Sequence, residues 1–144
     1  MDKVDHLIIQ ELTKNSKLGV KELAVRIGLT STPTYERVKR LERTGVIEGY
    51  TIRINKKKIG KSLQVLCYIS LKEHKLGLLE QFEQKIVSLP EVDSCYHIAG
   101  DHDYAIIVEV ADMDAYETFL RGSLASIPSI GNVKSSFVMN EIRS

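Results

Sequence analysis

No stretch of this 144-residue chain stays apolar long enough to cross a membrane, and its N-terminus lacks the basic, apolar and small-residue succession of a secretory signal. Cysteine is scarce. Cys67 and Cys95 each sit inside an apolar run with strand character, which reads as buried reduced thiols rather than a disulfide. These absences predict a cytoplasmic protein. Low-complexity tracts and repeats of fixed period are missing as well, which argues against a solenoid. The chain also has no nucleophile–base pair, no cofactor-binding glycine loop and no convincing acid–base dyad. No catalytic residue, cofactor or enzymatic activity is therefore predicted. His97, Asp101, His102 and Asp103 lie close in sequence, but their spacing is not that of a closed metal site, and no metal is predicted.

What is present is a core and a charge asymmetry. Apolar residues make up 43% of the chain and charged residues 27%, enough for a packed interior and a solvated surface. The net charge of +1 conceals two opposed halves. Residues 1–61 carry 14 Lys and Arg against 7 Asp and Glu, a net of +7. Residues 62–144 carry 6 against 12, a net of −6. Only the first half suits a polyanionic partner.

Residues 18–45 are the most informative segment. Val20, Leu23, Ala24 and Ile27 recur at helical spacing, and Ala24 is small where a second helix would cross closely. Gly28 follows where the chain must turn. Thr30 or Thr32 is placed to cap the next helix, with Pro33 in its first turn. Val38 and Leu41 then face inward, leaving Arg37, Lys39, Arg40 and Arg43 for solvent or phosphate. This is a helix-turn-helix with a cationic second helix, as major-groove docking requires. An ordinary helical hairpin with a solvated basic face shares the same periodicity. Ser31, Thr32, Thr34 and Tyr35 are the candidates for base edges or nearby phosphates, and Arg37, Lys39 and Arg40 for phosphates.

Around this motif, residues 2–14 read as a helix with Val4, Leu7, Ile8 and Leu12 as its stripe and Asp2 and Asp5 near its positive end. The alternation of Tyr50, Ile52 and Ile54 predicts a strand over 46–54. Residues 55–61 form a basic linker between a DNA-binding domain, 1–54, and a second domain, 62–144. The second domain reads as strand, helix, strand, strand, helix, strand. Its strands are Leu63–Leu71, Val92–Ala99, Tyr104–Val110 and 130–142. A helix over 76–89 and another capped by Asp112 fill the gaps. This βαββαβ order predicts a ferredoxin-like sheet with helices on one face only. Leu66, Tyr68, Ile107 and Phe137 or Val138 are expected on the other, which predicts a homodimer formed through the open face.

These residues resemble those of the Lrp/AsnC (feast/famine) transcriptional regulators over nearly the whole chain. The likeness rests on Asp2-x-x-Asp5-x-x-Ile8-Ile9-x-x-Leu12, Glu22-Leu23-Ala24, Gly28-Leu29-Thr30, Arg37-Val38-Lys39-Arg40-Leu41-Glu42 and Gly45-Val46-Ile47-x-Gly49-Tyr50. In the second half, Gly100-Asp101-His102-Asp103-Tyr104 resembles the family's Gly-x-x-Asp-Tyr/Phe signature. Lys17 stands where the family often has Arg, and the chain ends at Ser144, soon after the last strand, where many members continue. The resemblance implies an α+β architecture: a winged-type helix-turn-helix followed by a βαββαβ domain for effector binding and oligomerisation. It further implies dimers that assemble to octamers, and an amino acid or related small molecule as effector. Gly100, Asp101, His102, Asp103 and Tyr104 are then the candidate effector-binding residues, with Asp101 and Asp103 available to an ammonium group. Taken on turn chemistry alone, the same residues simply close a hairpin. The expected function is regulation of transcription through double-stranded DNA in response to that effector. The alternative is an architectural protein that wraps DNA with little effector dependence.

Overall fold

Asp2 starts the first helix, α1 (Lys3–Lys14), through reciprocal bonds: its carboxylate accepts the Asp5 N–H at 2.9 Å, and the Asp5 carboxylate accepts the Asp2 N–H at 3.0 Å. The structure, a computed structural model, describes residues 1–142. It divides into two compact units, Met1–Ile54 and Asn55–Ser144.

The first unit adds α2 (Val20–Ile27) and α3 (Ser31–Arg43). Gly28 terminates α2 in the left-handed region at φ 70°, and the Leu29 N–H closes the turn on the Ala24 carbonyl at 2.9 Å. Thr30 occupies the cap position of α3, but its side chain makes no capping bond; instead its carbonyl accepts the Thr34 hydroxyl at 2.9 Å. Ile8, Leu18, Leu23, Val38 and Leu41 form the buried centre, with Val4, Ile9, Leu12, Ile27 and Ile47 packed against it. The three helices therefore bury or half-bury the residues expected from their spacing, except Leu7, which the α1 stripe included and which is 44% exposed.

The strand expected over 46–54 does not form. The alternation of Tyr50, Ile52 and Ile54 suits a ladder, but no second strand of this unit runs beside it, and all three side chains are exposed. A lone strand cannot satisfy its own backbone groups. The segment is instead tied at single points: the Ser16 hydroxyl donates to the Thr51 carbonyl at 3.2 Å, and the Tyr50 hydroxyl donates to Glu42 at 2.9 Å.

The second unit opens with a 3-10 turn, Lys56–Ile59. It continues through β1 (Leu63–Leu71), α4 (Leu76–Val87), β2 (Val92–His97), β3 (Tyr104–Val110), α5 (Met113–Thr118) and β4 (Ile130–Phe137). The strand order is β2-β3-β1-β4, and every neighbouring pair is antiparallel. This is the predicted βαββαβ arrangement, with β3 inserted between β1 and β2. Asp112 caps α5 by accepting the Ala115 N–H at 2.9 Å. The helix then widens into a π-helical stretch over Phe119–Leu124.

Period-2 alternation sorts the sheet's two faces. Val65, Cys67 and Ile69 of β1 and Ile106 and Val108 of β3 point to the helices and pack on Phe82, Ile86, Tyr116, Phe119 and Leu124. Within this core the Tyr116 hydroxyl lies 3.1 Å from the Cys67 sulfur and 2.5 Å from the Ser135 hydroxyl, so its polar tip is satisfied. Leu66, Tyr68 and Ile107 lie on the opposite face and are only half-buried. Phe137 is not among them. It pairs in register with Val65 and meets the Tyr116 ring edge-on at 5.5 Å, on the helix side, leaving Val138 to the open face. The last strand also stops at Phe137, short of the expected 142.

Phe82 has no exposed surface and its ring lies 4.5 Å from that of Tyr104. Phe82→Ala should lower the stability of this unit by about 3–5 kcal/mol in urea unfolding, because it removes a large buried ring and leaves a cavity. Val87→Ala, at a largely exposed position of the same helix, should shift it by less than about 0.5 kcal/mol.

Candidate functional site

Helix α3 divides cleanly by burial. Thr34, Val38 and Leu41 face the core, and Thr34 has no exposed surface. Thr32, Tyr35, Glu36, Lys39 and Arg43 follow one another at helical intervals on the opposite side and are exposed. Ser31 is half-buried at the first turn. Of the residues expected at base edges, the structure therefore brings Thr32, Tyr35 and Ser31 towards the surface, while Thr34 serves the turn.

The cations of α3 have unequal surroundings. Lys39 bonds Glu42 at 2.8 Å and stands 5.7 Å from the centre of the Tyr35 ring. Arg43 has no hydrogen-bonded or charged partner among the described residues. Arg37 and Arg40 instead grip the start of α1. Arg37 reaches Asp2 at 2.6 Å and Asp5 at 2.9 Å, and Arg40 meets both Asp5 carboxylate oxygens at 2.7 Å. Asp5 is only 1% exposed. The expectation that Arg37 and Arg40 lie open to phosphate thus meets a competing use within the fold. The signal was legible: Asp5 precedes Ile8 and Leu12 on the buried stripe of α1, where a charge requires a partner. Arg37 and Arg40 share its spacing of three.

These contacts shift both carboxyls. The Asp5 N–H and the Arg37 guanidinium push Asp2 down to about 2. The Asp2 N–H, Arg37 and the Arg40 charge hold Asp5 below the ordinary carboxylate range against the opposing effect of burial. A group whose folded-state pKa is depressed contributes stability above its unfolded value and loses it as pH falls through the folded one. The first unit should therefore weaken as pH drops below the ordinary Asp range. Asp5→Asn should remove part of that dependence and cost about 1.5–3 kcal/mol at neutral pH, the worth of hydrogen bonds to a charged group. Circular dichroism melts from neutral to acidic pH measure both effects; an unchanged melt in the variant would contradict them.

The second candidate site is the loop from β2 to β3. Gly100 adopts φ 138°, where a side chain would be strained. The five expected residues have three different roles here. Tyr104 is buried, stacks on His97 with ring centres 4.7 Å apart and donates to Glu83 at 2.7 Å. Burial, with Glu83 beside it, raises its phenol well above the usual value. Asp103 accepts the Leu71 N–H at 2.7 Å and meets His74 at 2.8 Å, and these contacts hold its carboxyl low. His74 thus has a carboxylate partner while its ring stays largely exposed. His102 lies 3.2 Å from the Ser70 hydroxyl and 5.5 Å from the Tyr68 ring. Asp101 is exposed and without a partner among the described residues, and the N–H groups of Gly100, Asp101 and His102 likewise have no acceptor among them. The loop thus offers one free carboxylate beside free main-chain donors, pinned at its far end by Asp103 and Tyr104.

Residues 1–48 match the model of winged helix-turn-helix DNA-binding domains, and residues 64–144 match that of the Lrp/AsnC ligand binding domain. The chain is 35% identical over 142 residues to the Bkd operon transcriptional regulator of Pseudomonas aeruginosa, covering 99% of this chain and 93% of that one. It is 36% identical over 143 residues to the leucine-responsive regulatory protein of Escherichia coli K12, covering 99% and 87%. Among solved structures, a Neisseria meningitidis transcriptional regulator in complex with L-methionine superposes with a TM-score of 0.96 at 31% identity, covering 100% of this chain and 93% of that one. The Mycobacterium tuberculosis feast or famine regulatory protein complexed with L-methionine gives 0.87 at 30% identity, covering 99% and 95%. Both halves of the fold and the order of its motifs agree with these relatives: the chain belongs to the Lrp/AsnC family of transcriptional regulators.

Proposed function

We propose that this regulator docks α3 in the major groove and answers to a free amino acid held at the Gly100–Tyr104 loop. For DNA, the exposed row Thr32, Tyr35, Lys39 and Arg43, with Ser31 at its start, supplies the contacts. Arg37 and Arg40 act chiefly by holding α3 on α1, with Arg40 still half-exposed and within reach of phosphate. The observation that carries the effector reading is the loop's free Asp101 carboxylate beside the unpartnered N–H groups of Gly100, Asp101 and His102. A carboxylate suits an ammonium group, and main-chain donors suit a carboxylate, so the pair matches the two ends of an amino acid. The methionine complexes of the two relatives support the same class of ligand.

Calorimetry across the twenty amino acids tests the effector. Binding by at least one, abolished in Asp101→Ala, is the expected result; no heat from any of them would favour architectural DNA wrapping instead. For DNA, Lys39→Ala and Arg43→Ala should each weaken binding at low salt, and wild-type affinity should fall steeply as salt rises. A salt-independent isotherm would oppose the assignment.

Assembly follows from the open face. Leu66, Tyr68, Ile107 and Val138 leave apolar surface that a second copy of the chain would cover, giving the homodimer on which octamers are built. Light scattering of the full chain should report at least a dimer. Ile107→Asp places a charge in the middle of that face and should shift the species towards monomer, whereas a wild-type monomer at micromolar concentration would remove the argument.

A further inference from the structure

We propose that Lys57 and Lys58 form a second contact to the DNA backbone, carried by the effector-bearing unit and lying outside the helix-turn-helix. The inference rests on the DNA-binding reading above and adds a surface to it.

The basic segment at the start of the second unit has a defined shape. Asn55 caps its 3-10 turn by accepting the Lys58 N–H at 3.2 Å, and Gly60 ends the turn in the left-handed region at φ 79°. The Lys61 N–H then bonds the Lys56 carbonyl at 2.9 Å. This geometry separates the four lysines. Lys56 turns inward, to Glu109 at 2.7 Å and Asp93 at 3.2 Å, and Lys61 stands 4.0 Å from the same Glu109. Glu109 is 4% exposed and Lys56 42%, so the carboxylate of this anchor is buried while its ammonium partner is half-exposed. Lys57 and Lys58 are exposed and have no acidic partner among the described residues.

Two features give this arrangement a purpose. First, residues 62–144 carry a net charge of −6, so most of this unit repels a polyanion. At the turn Asp93 and Glu109 are already paired, with Lys56 and with Lys56 and Lys61 respectively, which leaves the Lys57 and Lys58 charges without an acidic partner among the described residues. Second, a pair of lysines that served only solubility would need no anchor. Here an ion pair to a buried carboxylate, a side-chain cap and a glycine hold the backbone that presents them, which lowers the ordering cost of binding. Lysine ammonium groups are mobile point charges suited to phosphate oxygens and not to base recognition. The partner class is therefore the phosphate backbone of duplex DNA, read without regard to sequence. Chain connectivity favours the same partner: Lys57 follows Ile54, the last residue of the DNA-binding unit, by three residues in sequence.

The test measures binding of the full chain to two unrelated mixed-sequence duplexes, each several helical turns long, as salt is varied. Lys57→Ala/Lys58→Ala should weaken both complexes equally. It should also reduce the slope of log affinity against log salt by about 0.9 for each phosphate no longer neutralised, about 1.8 per chain. Lys72→Ala/Lys75→Ala removes the same charge from exposed positions of the same unit and should leave the slope unchanged. A wild-type slope in the first variant overturns the proposal while leaving the DNA-binding reading intact. An equal drop in both variants also overturns it, because net charge alone would then be responsible. If the wild-type chain binds neither duplex at low salt, both this proposal and the DNA-binding reading fall.

Discussion

A carboxylate with almost no exposed surface, that of Asp5, holds the DNA-binding unit in register. It accepts from the Asp2 N–H, from Arg37 and twice from Arg40, so every lone pair that burial removes from water meets a donor. An unpaired carboxylate there would be costly enough to protonate or to expel the helix. With these donors the start of α1 is fixed against the middle of α3. The apolar contacts of Ile8, Val38 and Leu41 continue the same seam, but such contacts are non-directional. The ion cluster specifies which turn of α3 meets which end of α1, and therefore which face of α3 remains outside. The row Thr32, Tyr35, Lys39 and Arg43 is the consequence.

The second unit is organised by position within the sheet. β1 lies between β3 and β4, and β3 between β1 and β2, so the two most apolar strands are paired on both sides. Their alternation sends one set of residues to the helices and the other to an uncovered face. The same alternation carries Glu109 to the uncovered side, where Lys56 and Lys61 cover it. A charged position in an otherwise apolar strand thus becomes the anchor for the segment that follows the first unit.

Much of this was legible from residue spacing. Helical periodicity located α1 to α4, Gly28 marked the turn, Asp112 marked the start of α5, and period-2 alternation assigned the helix-facing side of β1 and β3. The failures share one cause, which is that a local pattern does not reveal its partner. Tyr50, Ile52 and Ile54 alternate like a strand, but a strand needs a neighbour and this unit has none beside it. Phe137 was assignable to either face until the β1–β4 register paired it with Val65. Arg37 and Arg40 read as phosphate ligands because they are cations on the second helix of a helix-turn-helix. Their carboxylate partners lie more than thirty residues away in sequence. In the loop, Asp101 and Asp103 are indistinguishable by type, yet only Asp103 meets the Leu71 N–H and His74. That difference depends on how β1 ends, which turn chemistry alone does not encode.

The position of the loop also limits how an effector can act. β3 begins at Tyr104, beside the loop, and carries Glu109, the anchor of the basic turn, near its other end. It is tempting to treat the strand as a lever between them. Yet β3 is bonded on both sides and most of its inward residues are fully buried, so sliding it would break two ladders at once. Lying between two sites is not itself evidence of coupling. A ligand changes an equilibrium only when it binds two arrangements unequally. Within this unit, a ladder paired on both sides has no second arrangement of comparable energy. In the proposed assembly, contacts between copies of the chain would, because an exposed loop and an open apolar face could meet a neighbour in more than one way. An amino acid held at Asp101 would therefore act by favouring one assembly of subunits over another. The internal geometry of each subunit would stay as it is, and the spacing between docking helices would change with the assembly.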